Sequence, residues 1–140
     1  MIKVILCGAS GRMGGFVAST AAADSDISVV AGIDKINNGE KFPIFSSLGD
    51  INVKADMIID FSPPSMLEPM LEYAVKNNIP VVIATTGYDN AQTEKIRAAA
   101  KKIPIFFTFN MSLGINLVAA LAKKAAKVLG DGFDIEIIEK

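Results

Sequence analysis

A chain of 140 residues, 51% hydrophobic and 21% charged, has the length of one domain and the composition of a packed core rather than a disordered segment. Its 14 Lys+Arg against 15 Asp+Glu leave a net charge of −1 without a block of like charge, which removes the electrostatic case for a nucleic-acid partner. With no histidine and one cysteine, the sequence excludes Ser–His and Cys–His nucleophile systems, an imidazole acid or base, the usual zinc ligand sets and an internal disulfide.

The first element is an apolar run of strand length, Val4-Ile5-Leu6-Cys7, that ends in Gly8-Ala9-Ser10-Gly11-Arg12-Met13-Gly14. Cys7 at the strand end reads as a small buried apolar residue. Glycine at such a turn lets a ligand approach the main chain, and the helix that follows aims unpaired N–H groups and its positive dipole end into the turn. A pyrophosphate is the natural occupant. The spacing is G-x-x-G-x-x-G, one position away from the commoner dinucleotide fingerprint. Three glycines also serve a tight turn and close helix–strand packing alone, and the position between a strand and a helix is what favours the phosphate reading.

Residues 12–23 read as a helix with Met13, Phe16, Val17, Ala18, Ala21 and Ala22 on its apolar face. Residues 27–33 read as a strand ending at Asp34, about 20 residues past the last glycine, where a carboxylate accepts hydrogen bonds from adenosine ribose hydroxyls. A strand-end carboxylate in a solvated turn is the alternative. Lys35 suits a 2′-phosphate, so Asp34-Lys35 leaves NADH and NADPH both open.

Residues 36–50 read as loop. Residues 55–61 form a continuous apolar strand of the kind covered on both faces. Ser62 is expected to cap a helix that has proline in its first turn and runs to about residue 75, with Met66, Leu67, Met70, Leu71, Ala74 and Val75 inward and Asn77-Asn78 at its end. A strand over 80–84 delivers Thr85-Thr86-Gly87. A helix over 89–102 is capped by Asp89, with Ile96, Ala99 and Ala100 facing in. A strand over 104–107 opens into Thr108-Phe109-Asn110-Met111-Ser112. A long helix covers 113–129 with Leu117, Leu121, Ala125 and Val128 on one stripe, Gly130-Asp131-Gly132 stops it, and 133–138 alternate as a strand.

Five strands alternating with helices predict a Rossmann-like α/β fold, a doubly wound parallel sheet with right-handed crossovers. Ligands in such sheets collect at the carboxyl ends of the strands, here residues 8–14, Asp34, 60–63, 85–87 and 108–112. No run approaches the ~20 apolar residues of a membrane helix. No secretory leader is expected, and the setting is expected to be cytoplasmic.

Gly8-Ala9-Ser10-Gly11-Arg12-Met13-Gly14, Asp60-Phe61-Ser62-x-Pro64, Thr85-Thr86-Gly87, Asn110-x-Ser112-x-Gly114-x-Asn116 and Asp134-Ile135-Glu136-Ile137-Ile138-Glu139 follow one another in this order. Together they resemble the bacterial dihydrodipicolinate reductase (4-hydroxy-tetrahydrodipicolinate reductase) family of the diaminopimelate and lysine pathway. The resemblance implies hydride transfer from NADH or NADPH to a cyclic dicarboxylate imine, giving tetrahydrodipicolinate. It implies that Gly8, Ala9, Ser10, Gly11, Arg12 and Met13 cradle the pyrophosphate, and that Asp34 and Lys35 hold the adenosine ribose or its phosphate. Phe61, Ala84, Thr85 and Thr86, with Thr108, Phe109, Asn110 and Met111, would line the rest of the cofactor site, and Thr86 would also reach the substrate. Met111 stands where the family commonly has an aromatic residue, a tolerable change in an apolar wall.

By the same resemblance, residues 1–111 are the dinucleotide-binding domain, and 112–140 begin a substrate and oligomerisation domain of a homotetramer. The family's His-His-x-x-Lys segment and its Asp-Ala-Pro-Ser-Gly-Thr loop are expected beyond Lys140, which is not itself the catalytic lysine. The chain is therefore expected to hold the cofactor, to carry no catalytic acid and no metal, and to self-associate through the uncovered faces of 113–129 and 133–138. The rival readings are a dinucleotide- or coenzyme A-binding module without catalysis, and the nucleotide half of another amino-acid-pathway dehydrogenase.

Overall fold

The computed structural model describes residues 1–108 and 110–138, in two compact units, Met1–Phe109 and Asn110–Lys140. The first is a parallel sheet built from β1 (Ile2–Cys7), β2 (Ile27–Ile33), β3 (Ile44–Phe45), β4 (Met57–Asp60), β5 (Val81–Ile83) and β6 (Ile105–Phe107). Its strand order is β3-β2-β1-β4-β5-β6. Chain direction across the sheet thus reverses between β1 and β4, the switch point at which doubly wound sheets open a crevice. Between the strands run α1 (Arg12–Ala22), α2 (Leu67–Asn77) and α3 (Asn90–Ala99).

Alternation along each strand sends neighbouring side chains to opposite faces. On one face Ile5, Cys7, Ile58, Val81 and Ile83 pack with Leu67, Met70 and Ala74 of α2 and with Ile96 and Ala99 of α3 in a single buried core. On the other face Val4 and Leu6 are buried, while Met57, Ile59 and Val82 stay half-buried. β4, expected to be covered on both faces, is fully buried at Ile58 and Asp60 on one face and half-buried at Met57 and Ile59 on the other.

Several local signals act as read. Asp89 accepts from the Gln92 amide at 2.7 Å, and the Asp89 amide donates back to Gln92 Oε1 at 3.1 Å, a complete capping box for α3. Asn78 ends α2 in the left-handed region at φ 54°. Others do not. Met13 and Phe16 of α1 are 47% and 63% exposed, and Gly14 and Ala21 form the buried stripe, Gly14 lying tight against the Gly8–Ala9 loop. Ala100 is exposed. Residues 44–45, read as loop, become β3, since the edge of β2 offers unpaired groups: the Gly32 amide donates to Pro43 O at 2.9 Å and the Asp34 amide to Phe45 O at 3.1 Å. A short 3-10 turn, Pro64–Met66, precedes α2, and Ser62 does not cap it.

The second unit holds α4 (Leu113–Leu129), at the bounds expected from its periodicity. Ser112 Oγ caps it by accepting from the Ile115 amide at 3.4 Å. Asn110 Oδ1 accepts from the Ser112 amide at 2.8 Å, and Asn116 Nδ2 donates to Ser112 O at 2.8 Å. Residues 133–138, expected as a strand, form no ladder. A strand needs a neighbour's backbone groups, and the described part of this unit offers only a helix and a 3-10 turn.

The adjacent glycines of α1 differ in sign. A Cβ on Gly14 would lie 2.2 Å from Gly8 O, whereas one on Gly15 would meet nothing within 4 Å. Gly14→Ala is expected to lower unfolding stability by about 2 kcal/mol or more through overpacking. Gly15→Ala is expected to raise it by about 0.4–1 kcal/mol through lost unfolded-state freedom. Urea unfolding of the two variants checks both.

Candidate functional site

The chain turns directly off β1 because Gly8 takes φ +75°. A Cβ there would lie 2.5 Å from Phe61 O, so the loops after β1 and β4 touch backbone to backbone. The Phe61 amide donates to Cys7 O at 3.0 Å and fixes that contact. Gly11, at the helix start, supplies no side-chain cap to α1. The first-turn amides of Arg12, Met13 and Gly14 therefore lack an intrahelical acceptor at the positive end of the helix dipole. Gly11 and Arg12 are exposed, and a Cβ on Gly11 would meet only Gly8 O, at 3.2 Å.

Asp34, at the end of β2, is half-buried against this loop. Its Oδ2 accepts from the Ser10 amide at 3.0 Å and its Oδ1 from the Lys35 amide at 2.7 Å. Each carboxylate oxygen keeps a further lone pair. Ser10 Oγ donates to Ile36 O at 2.6 Å and Asn38 Nδ2 donates to Ser10 O at 3.1 Å, which seats residues 36–38 on the glycine loop. Lys35 is exposed beside them.

The other strand ends step across the sheet by backbone bonds. The Ala84 amide donates to Asp60 O at 3.0 Å and the Thr108 amide to Ile83 O at 3.3 Å. Phe61, Ala84 and Thr108 are half-buried along this line, and Thr86 is exposed. Thr85 is turned inward at 6% exposure, so what it offers the edge is backbone. The structure thus brings residues 8–13, Asp34, Lys35, Phe61, Ala84, Thr85, Thr86 and Thr108 onto one edge of the first unit. Asn110 and Met111 belong to the second unit, where Asn110 takes part in the start of α4. Phe109 lies outside the described residues.

Beneath the edge is a polar cluster whose members Asp60, Ser62 and Thr85 read from the sequence as strand-end residues but not as bonded to one another. Asp60 is fully buried. Ser62 donates to its Oδ1 from the hydroxyl at 2.5 Å and from the amide at 3.0 Å, the reason Ser62 is unavailable as a helix cap. Thr85 Oγ1 lies 2.8 Å from Asp60 Oδ2, and the Tyr88 hydroxyl donates to the same oxygen at 3.2 Å. The Tyr88 ring packs on Phe107 with centroids 5.9 Å apart. Burial, and then the charge of Asp60, push both the Cys7 thiol and the Tyr88 phenol up from their ordinary ranges, so both remain protonated. Asp-x-Ser at a strand end was the available signal, a local turn in which the side chain bonds the backbone two residues on. Tyr88 carried none. Among the described residues, no three His, Cys, Asp or Glu side chains group to hold a metal, and no helix is long and apolar enough to cross a membrane.

Residues 2–111 match the family model described as dihydrodipicolinate reductase, N-terminus. The 4-hydroxy-tetrahydrodipicolinate reductase of Clostridium novyi (strain NT) is 44% identical over 141 residues, spanning 100% of this chain and 56% of the relative. That of Caldanaerobacter subterraneus subsp. tengcongensis is 46% identical over 140 residues, spanning 100% and 55%. The chain therefore spans about half the length of the curated relatives it matches. Among solved structures, the dipicolinate-bound dihydrodipicolinate reductase from Paenisporosarcina sp. TG-14 superposes with a TM-score of 0.77 at 25% identity, over 90% of this chain and 54% of that one. A myo-inositol dehydrogenase from Corynebacterium glutamicum gives 0.67 at 25% identity, over 94% and 43%. With most of its length inside the family model, the chain belongs to the dihydrodipicolinate reductase family and corresponds to its N-terminal, nucleotide-binding part.

Proposed function

We propose that this chain binds NADH or NADPH along the carboxyl edge of its sheet, as the cofactor half of a cytoplasmic reductase in diaminopimelate and lysine biosynthesis. The observation that carries the reading is the uncapped start of α1 over the open side of Gly11, flanked by the Asp34 carboxylate. That donor set fits a dinucleotide: first-turn N–H groups for a pyrophosphate and a carboxylate with free lone pairs for ribose hydroxyls. The relatives, named as 4-hydroxy-tetrahydrodipicolinate reductases, support our reading of the substrate as a cyclic dicarboxylate imine reduced to tetrahydrodipicolinate.

In this reading residues 8–13 hold the pyrophosphate, and Asp34 and Lys35 take the adenosine ribose. Asp34 favours the free ribose of NADH, and Lys35 a 2′-phosphate. The bound dinucleotide supplies the hydride. Phe61, Ala84, Thr85, Thr86 and Thr108 line its nicotinamide end, and the exposed Thr86 hydroxyl donates to the substrate. Residues 1–111 form the nucleotide domain and 112–140 open the substrate and oligomerisation domain, the assembly being a homotetramer. Hydroxyl and amide groups at this edge orient a substrate but do not deliver a proton to it near neutral pH, and the sequence holds no histidine.

Calorimetric titration is expected to show heat with NADH or NADPH. Gly11→Val should weaken both about tenfold or more by placing branched carbons under the pyrophosphate. Asp34→Ala should weaken NADH more than NADPH. Absence of binding to either cofactor overturns the reading, and heat with coenzyme A instead would make the chain a binding module. A polypeptide of these 140 residues, given the imine substrate, is expected to oxidise NADH or NADPH no faster than background in an absorbance assay. Turnover at the rate of an intact relative would refute that.

A further inference from the structure

Asp60 is a buried carboxylate whose partners in the described structure, Ser62, Thr85 and Tyr88, are all neutral donors. A buried charge without a cation is costly and is retained only where its hydrogen bonds are made. Every side-chain polar atom buried among the described residues has a partner, so the cluster is complete. Its members are distributed informatively. Ser62 belongs to the loop after β4, and Thr85 and Tyr88 to the loop after β5. Tyr88 continues through its ring to Phe107 at the end of β6. Thr85 Oγ1 also lies 2.7 Å from Ser62 O, so its single proton is shared between two acceptors and binds the two loops to each other. None of these bonds reaches Ser10, Asp34 or residues 36–38, which have their own network.

We propose that Asp60 is a positioning residue that sets the nicotinamide half of the cofactor site independently of the adenosine half. It acts through Ser62, Thr85 and Tyr88, which hold Phe61 and Thr86 at the height where the nicotinamide riboside lies. This rests on the cofactor reading above. The buried carboxylate works as a rigid acceptor for donors from both loops, and charge-assisted hydrogen bonds of this kind are the stronger ones. Preorganisation of the loops spares the ligand the entropy of ordering them.

The test compares two probes on the same chain: NADH, and ADP-ribose, which carries the adenosine, both phosphates and a ribose but no nicotinamide. Asp60→Asn is expected to raise the Kd for NADH about tenfold while leaving ADP-ribose within about twofold. The fluorescence of bound NADH should return towards that of the free cofactor. Tyr88→Phe keeps the ring against Phe107 and removes one donor, so it should shift the same ratio in the same direction by about threefold. It carries the test alone should Asp60→Asn fail to fold by circular dichroism. Equal losses for both probes would mean a merely structural role, and no loss of NADH affinity would mean no role; either overturns the inference while leaving the cofactor reading intact. A wild-type chain that binds neither probe overturns the cofactor reading, and this inference with it.

Discussion

The carboxyl edge depends on how closely two stretches of backbone approach each other at the switch point between β1 and β4. Gly8 sits under the Phe61 carbonyl, where any Cβ would lie 2.5 Å from its oxygen. Gly14 places the first turn of α1 against the same loop. These contacts set the direction of α1, leave its start uncapped, and bring the loops after β1 and β4 into one surface. The usual determinants of a helix start, a polar cap and a large apolar stripe, are both absent from α1. Close packing of Gly14 on the loop replaces them, and the large side chains Met13 and Phe16 face solvent.

Two polar networks are built on that contact and divide the edge between them. Asp34, Ser10, Ile36 and Asn38 tie the glycine loop to the chain after β2. Asp60, Ser62, Thr85 and Tyr88 tie the loops after β4 and β5. Both centre on a carboxylate at a strand end and both accept from backbone and side-chain donors, but their exposure differs. Asp34 is half-buried with lone pairs to spare for a ligand, whereas Asp60 is sealed and its bonds are internal. The same residue type at the same kind of position thus keeps open acceptor positions in one place and only internal bonds in the other.

The second unit follows different physics. The motif Asn110-x-Ser112-x-Gly114-x-Asn116 is, within this unit, a helix start, with its amide and hydroxyl groups bonded to the backbone of its own first turns. Leu113, Leu117, Leu121 and Val128 of α4 are all exposed. Periodicity is present without burial, as for a helix whose stabilising contacts come from outside its own segment.

The sequence by itself determined what is local. The bounds of β2 and α4, the capping box at Asp89, the stop at Asn78 and the order of α/β units all follow from spacing, caps and breakers within a few residues. It also determined which loops meet at one edge, because a parallel sheet puts every strand end on the same side. Tertiary structure decided the rest. β3 exists only because β2 has an open edge, and 133–138 stay unpaired because the described part of their unit supplies no edge. Ser62 bonds Asp60 instead of a helix, and Thr85 turns inward while Thr86 faces out, because a buried carboxylate must find donors wherever the fold brings them. Those partners lie up to 28 residues apart in the chain, beyond the reach of any periodicity.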